Sequence, residues 1–229
     1  MDLVITPQER RVLSVTGTDS KFPVQQIYCV GRNYADHTIE MGHDPNRETP
    51  FFFMKPAYAI LDDEGEMQYP NESEDVHHEV ELVIALKTGG NNIPVTEAND
   101  YIYGYAVGID MTRRDLQAEA KDKSRPWECG KTFLHAAPCS AIAPVLNSGH
   151  IDEGMIQLSV NDEVRQQGNV DQMIWKVAEV ISRLSILFHL QPGDLIYTGT
   201  PAGVGPIQRG DTIRAVIERV GELNISVAK

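Results

Sequence analysis

Glu79 and Glu81 stand one residue apart at the head of His77-His78-Glu79-Val80-Glu81-Leu82-Val83-Ile84-Ala85-Leu86. Aliphatic and β-branched residues follow a polar start, which predicts a strand. Side chains on a strand alternate between faces. Val80, Leu82, Ile84 and Leu86 therefore share one face, expected to be core. Glu79 and Glu81 share the other, about 7 Å apart. Two ionised carboxylates this close repel unless water or a cation intervenes. A hard divalent cation would turn that repulsion into binding, because Mg²⁺, Mn²⁺ and Ca²⁺ prefer carboxylate oxygen. The competing reading is an edge strand with a solvated acidic face.

Other reactive types are spaced along the chain. Tyr103 to Ile109 reads as a strand ending on Asp110, a third carboxylate for the same cation. A helix then runs from Thr112 to about Lys123, with Thr112 and Asp115 spaced as a capping box. Gln117 lies one turn beyond Arg113 and Arg114 on that helix. A shorter helix is expected from Tyr34 to Met41, capped by Asn33 and ended by Gly42. On it His37 and Glu40 are three apart and can touch. A carboxylate beside an imidazole fixes its tautomer, the arrangement a general base needs. The competing reading is an exposed polar pair. Lys55 follows the apolar run Phe51-Phe52-Phe53-Met54, and Lys131 follows Gly130. Each is read either as a cleft residue or as a lysine reaching to solvent.

The remaining elements must position these groups. Short strands are expected at 11–15 and 27–30, and another at 141–145. A hairpin is expected at 156–166, turning on Asn161-Asp162. A long helix over 170–190 carries an apolar stripe of Ile174, Val177, Ile181, Leu184 and Phe188. A strand at 194–198 feeds the glycine-rich turn 199–205, whose backbone N–H groups suit an anion. That turn is neither a P-loop nor a dinucleotide fingerprint, since no Gly-Lys-Ser/Thr and no helix follows. An antiparallel pair around Gly221 closes the chain.

Composition bounds the function. The 229 residues carry 20 basic and 33 acidic side chains, a formal charge of −13. Such a surface argues against binding nucleic acid or an anionic membrane. An anionic substrate would need local cations or a metal. Cys29, Cys129 and Cys139 are too few and scattered for a disulfide framework, which fits a reducing, cytoplasmic compartment. No apolar run is long enough to span a bilayer, and the first residues lack the basic start of a signal peptide.

Five segments stand in a telling order: Gly31-Arg32-Asn33-Tyr34-Ala35-Asp36-His37, Phe53-Met54-Lys55-Pro56, His78-Glu79-Val80-Glu81, Gly108-Ile109-Asp110-Met111-Thr112 and Gly199-Thr200-Pro201-Ala202-Gly203-Val204-Gly205. Together they resemble the fumarylacetoacetate hydrolase family, above all its short acylpyruvases, from about Ile27 to the C-terminus. The resemblance implies a mainly β fold with few helices (α+β), a mixed β-sandwich roll. It implies a short leading segment (1–24), a catalytic domain (25–229) and a homodimer. It implies Mg²⁺ or Mn²⁺ on Glu79, Glu81 and Asp110, with Ca²⁺ able to replace them in a crystal. It further implies a His37–Glu40 base pair, a functional Lys131, and Gln117 and Thr200 against the substrate.

The expected reaction is hydrolysis of the C–C bond of a 2,4-dioxo acid such as 3-fumarylpyruvate, giving pyruvate and a carboxylic acid. Arg32, Lys55, Arg113 and Arg114 are the candidates for a distal carboxylate, and Lys131 with N–H groups near Gly199 and Thr200 for the oxyanion. Oxaloacetate decarboxylation and isomerisation of a hydroxymuconate-type acid are the alternatives on the same metal site. A non-catalytic, cupin-like metal module is disfavoured, because the adjacent His77 and His78 point to opposite faces of a strand.

Overall fold

The computed structural model of the chain describes residues 3–35 and 48–229. Strands dominate, and among the described residues four sheets, the two larger of mixed direction, fold into a curled, layered body. In the largest sheet the strand order is Phe51–Lys55, Ile27–Gly31, Leu195–Tyr197, Val80–Leu86, Ile102–Ile109, Ala137–Cys139 and Ile60–Asp62, and Ala143–Pro144 also pairs with Ile102–Ile109. A five-stranded sheet, built around Met155–Val160, Thr212–Ile217 and Gly221–Val227, stacks on the Val80–Leu86 and Ile102–Ile109 strands. A three-stranded sheet joins Thr112–Arg113, Val76–His78 and Gly205–Pro206.

This layering explains the diglutamate strand. Every residue of Val80–Leu86 is buried, so the alternation does not mark a wet face. Central strands covered on both sides read as continuous apolar runs, and the two glutamates are the departure from that rule. The solvated-edge reading is thereby excluded: Glu79 is 5 % exposed and Glu81 2 %.

The hairpin Met155–Val160/Glu163–Asn169 forms as expected. Asn161 and Asp162 both take positive φ, 50° and 65°, the conformation that matches strand twist across a two-residue turn. The expected 170–190 helix is shorter. A single 3₁₀ turn occupies Val170–Gln172, and the α-helix is Val177–Leu187. The interruption has a visible cause. Asn33, fully buried, accepts from the Trp175 N–H at 2.7 Å and donates to the Trp175 and Thr198 carbonyls. That clamp fixes a bend at Ile174–Trp175 and draws the Asn33 side chain, expected to cap a helix at Tyr34, onto this distant segment. Val177, Ile181 and Leu184 do form the buried stripe. The strand expected at 141–145 reduces to Ala143–Pro144, followed by a helical turn at Val145–Ser148.

Leu13, Val15 and Phe22 of the leading hairpin join the same apolar core as the sheets. Cys29 and Cys139 are buried and Cys129 is exposed, all three as free thiols. No helix among the described residues is long and apolar enough to cross a membrane.

Candidate active site

Strand register brings the three acids together. Val80–Leu86 and Ile102–Ile109 are antiparallel neighbours, with Val80 opposite Ile109 and Glu81 opposite Gly108. Glu79 and Asp110 therefore face each other one step beyond the paired region, and the Asp110 N–H donates to the Glu79 carbonyl at 2.8 Å. Glycine is needed at 108, because a Cβ there would come within 2.4 Å of the Val83 side chain and 2.5 Å of the Tyr197 ring. One carboxylate oxygen from each of Glu79, Glu81 and Asp110 lies within 4.8 Å of the others, and all three residues are buried.

Three buried carboxylates at this separation need compensation. Burial pushes Glu81 well above the usual carboxylate range, and the Asp110 and Glu79 charges push it the same way. The Gly199 N–H opposes this by donating to Glu81 Oε2 at 2.7 Å. Gly199 adopts φ +97°, and a Cβ there would sit 2.7 Å from Asn33, so only glycine delivers that donor cleanly. The Gly199 N–H is thus engaged with the acid and is not the oxyanion donor the turn suggested.

Lysines balance the other two acids. Lys131, 3 % exposed, places Nζ 2.8 Å from Glu79 Oε2, 2.6 Å from Asp110 Oδ2 and 2.7 Å from Thr112 Oγ1. Burial alone would favour the neutral amine, yet Asp110 and Glu79 outweigh it and hold the ammonium above its ordinary range. Lys55 has no exposed surface; its ammonium sits 2.8 Å from Asp110 Oδ1 and donates to the Met111 and Lys131 carbonyls. It is not among the residues lining the cleft, which corrects the expectation that it meets the substrate. Arg114 Nη2 lies 2.5 Å from Glu79 Oε1, while Nη1 donates to Gln117 Oε1 at 2.7 Å. The Gln117 amide oxygen is therefore taken, and its N–H groups are left for another acceptor.

The cleft in front of the acids is lined by Arg32, Arg114, Gln117, Lys121, Lys131 and Thr200, with Phe51, Phe53 and Trp127 as an aromatic wall. Phe51 meets Trp127 edge-on at 5.1 Å between ring centres. Lys121 is a functional candidate the sequence reading passed over. It lies one turn beyond Gln117 on the helix Arg114–Asp122, and its ammonium is 5.0 Å from the Trp127 ring centre. The spacing 114, 117, 121 was the available signal. Burial, followed by the charges of Arg114, Arg32 and Lys131, brings its pKa down to about 8.

Two expectations fail here. Arg113 packs on the Phe133 ring at 4.9 Å and donates to the Asn71 and Thr132 carbonyls, away from the cleft lining. Thr112 is no helix cap: its hydroxyl donates to the Asp110 carbonyl and accepts from Lys131, while Asp115 accepts from Ser73 and Glu74. His37 and Glu40 lie outside the described residues.

The chemistry of the donor set fits a hard divalent cation: three oxygen ligands, buried, mutually repelling, and set at the floor of a cleft. A mixed β roll that sets such a centre at the floor of a cleft lined by basic side chains defines a class of enzymes with an acidic metal-binding centre. The profile of the fumarylacetoacetate (FAA) hydrolase C-terminal domain matches residues 26–228, and the chain belongs to the fumarylacetoacetate hydrolase family. Among its relatives is fumarylpyruvate hydrolase of Ralstonia sp., 43 % identical over 184 residues, covering 80 % of this chain and 95 % of the relative. The mitochondrial oxaloacetate decarboxylase of Dictyostelium discoideum is 41 % identical over 194 residues, covering 84 % and 88 %. The crystal structure of fumarylpyruvate hydrolase from Pseudomonas aeruginosa in complex with Mn²⁺ and pyruvate superposes with a TM-score of 0.97 at 46 % identity, covering 99 % of both chains.

Proposed function

We propose that this chain is a metal-dependent hydrolase that cleaves the C3–C4 bond of an acylpyruvate, with 3-fumarylpyruvate as the substrate and pyruvate and fumarate as products. The observation that carries the reading is the buried Glu79–Glu81–Asp110 cluster beneath a cation-lined cleft. The Mn²⁺ and pyruvate held by the Pseudomonas aeruginosa relative support it. Glu79, Glu81 and Asp110 would hold Mg²⁺ or Mn²⁺, which when bound supplies Lewis acidity toward the oxygens of the pyruvate half.

The chain's own groups do the rest. His37, oriented by Glu40, takes a proton from water, and the hydroxide adds to the C4 carbonyl carbon. The C3–C4 bond breaks, its electron pair passes to the pyruvate half as an enolate, and C3 is then protonated. Lys131 holds the Glu79 and Asp110 carboxylates in place. Gln117 and Thr200 offer donors to substrate oxygens. The leading segment 1–24, the catalytic domain 25–229, a homodimer and a cytoplasmic location belong to the same proposal, and sedimentation velocity tests the dimer.

The test is purified, metal-supplemented protein assayed for pyruvate release from 3-fumarylpyruvate, acetylpyruvate and oxaloacetate. His37→Ala is expected to lower acylpyruvate turnover about 10²- to 10⁴-fold with metal affinity nearly unchanged. The Dictyostelium relative favours one second reading, oxaloacetate decarboxylation, which needs no attacking water. Oxaloacetate turnover that survives His37→Ala, with no acylpyruvate activity in the parent protein, would establish it.

Arg32 and Lys121 have no carboxylate partner among the described residues, so they are the cations we assign to the distal carboxylate. Lys121→Met should raise KM for 3-fumarylpyruvate about 10-fold or more and leave acetylpyruvate, which has no distal charge, within about twofold. The amine is charged below its pKa of about 8. The preference for the dicarboxylate is therefore greatest at pH 7 and weakens as pH rises through 8 to the share that Arg32 supplies, a profile read from kcat/KM. Equal KM changes for both substrates would contradict the assignment.

A further inference from the structure

Gln166, on the strand Glu163–Asn169, has no exposed surface, and every hydrogen-bonding position of its amide is used. Oε1 accepts from the Val80 N–H at 3.0 Å and lies 2.9 Å from His78 Nδ1. Nε2 donates to Thr200 Oγ1 at 2.7 Å and to the Pro201 carbonyl at 2.9 Å. The amide orientation is fixed from both ends, because the Val80 N–H can only donate and the Pro201 carbonyl can only accept. Two consequences follow by elimination. His78 Nδ1 must carry hydrogen, which leaves Nε2 bare; that buried nitrogen indeed has no partner, whereas an N–H there would be an orphaned donor. Thr200 Oγ1 must accept from Gln166, which leaves the hydroxyl hydrogen without an acceptor among the described residues. Thr200 lines the cleft beside Gly199 and the acids.

We propose that Gln166 is a positioning residue that fixes Thr200 as a hydrogen-bond donor to an anionic oxygen on the oxo-acid half of the substrate. The same amide grips the peptide N–H between Glu79 and Glu81, so one side chain sets both the acid pair and the donor opposite it. The inference rests on the hydrolase reading, since it needs an oxyanionic ligand in the cleft.

The experiment is a double-mutant cycle of Gln166→Met and Thr200→Val on the metal-supplemented protein. It is read by kcat/KM for 3-fumarylpyruvate, by calorimetric affinity for pyruvate, and by the ¹⁵N NMR tautomer of His78 in the parent protein. Thr200→Val should cost about 10- to 100-fold in kcat/KM and Thr200→Ser should recover most of it. Gln166→Met should cost a similar factor, and the double variant should be within about threefold of either single one. Multiplying losses, full activity of Thr200→Val, or an Nε2-protonated His78 would each overturn the inference while leaving the hydrolase reading intact. If Gln166→Met fails to fold, the Thr200 pair and the tautomer decide alone. A parent protein that neither cleaves acylpyruvates nor binds pyruvate overturns both.

Discussion

Glu81→Gln is expected to abolish divalent-ion-dependent turnover and, at the same time, to raise the melting temperature of the metal-free protein. The two effects have one source. Carboxylates about 4.8 Å apart repel by about 3 kcal/mol per pair at an effective dielectric of 20, and Glu81 has both Glu79 and Asp110 as neighbours. Glutamine keeps the shape and can still accept from the Gly199 N–H, but it carries no charge. Removing the repulsion should return about 1–3 kcal/mol, or roughly 2–10 °C for a chain of this size. Loss of a ligand should lower turnover by about 10³-fold or more, since Lewis-acid stabilisation is worth several kcal/mol.

A carboxyl whose folded pKa is raised contributes stability that is greatest below its unfolded value and is lost as pH rises through the folded value. The metal-free parent should therefore gain stability on acidification toward pH 4.5, and the Glu81→Gln variant should lack that component. Thermal unfolding with chelator and with saturating Mn²⁺ checks all of this. A variant that keeps the metal-induced rise in Tm would remove Glu81 from the ligand set, and full activity of the chelated parent would remove the metal.

Lys131→Met should act in the opposite direction on stability. Its ammonium lies against Glu79, Asp110 and Thr112 with almost no exposure to water. Taking one partner from a buried ion pair leaves the other charge uncompensated, at a cost of about 3–5 kcal/mol. Tm should fall by roughly 6–20 °C, and turnover by at least about 10²-fold. Added divalent ion should restore part of the stability, because it supplies positive charge to the same oxygens. Unchanged Tm in the metal-free variant would show that Lys55 and Arg114 alone suffice to balance the acids.

The diglutamate strand, Asp110 at a strand end and the Asn161-Asp162 hairpin are legible in the sequence, because strand periodicity and turn chemistry are local. Asp110 is expected on the same cation as Glu79 and Glu81, and the structure brings the three together; the register that does so, Glu81 opposite Gly108, is long-range and has no local signal. A solvated acidic face stays open as the competing reading on sequence alone, because alternation assumes one wet side, whereas this strand is covered on both. Lys55 reads as a cleft cation for the substrate and Thr112 as a helix cap until tertiary contacts give their polar atoms other partners. Gln166 gave no signal at all: its bonds span 34 to 88 residues of sequence. The helix over 170–190 was overextended because the apolar stripe continues across a segment that the distant Asn33 holds open.

The three free thiols differ in a way that can be used. Burial keeps Cys29 and Cys139 protonated and out of reach, whereas Cys129 is exposed on the short helix Glu128–Lys131 that ends on the buried Lys131. A maleimide dye should alkylate one position per chain without any engineering, and that label would ride on the rim of the cleft.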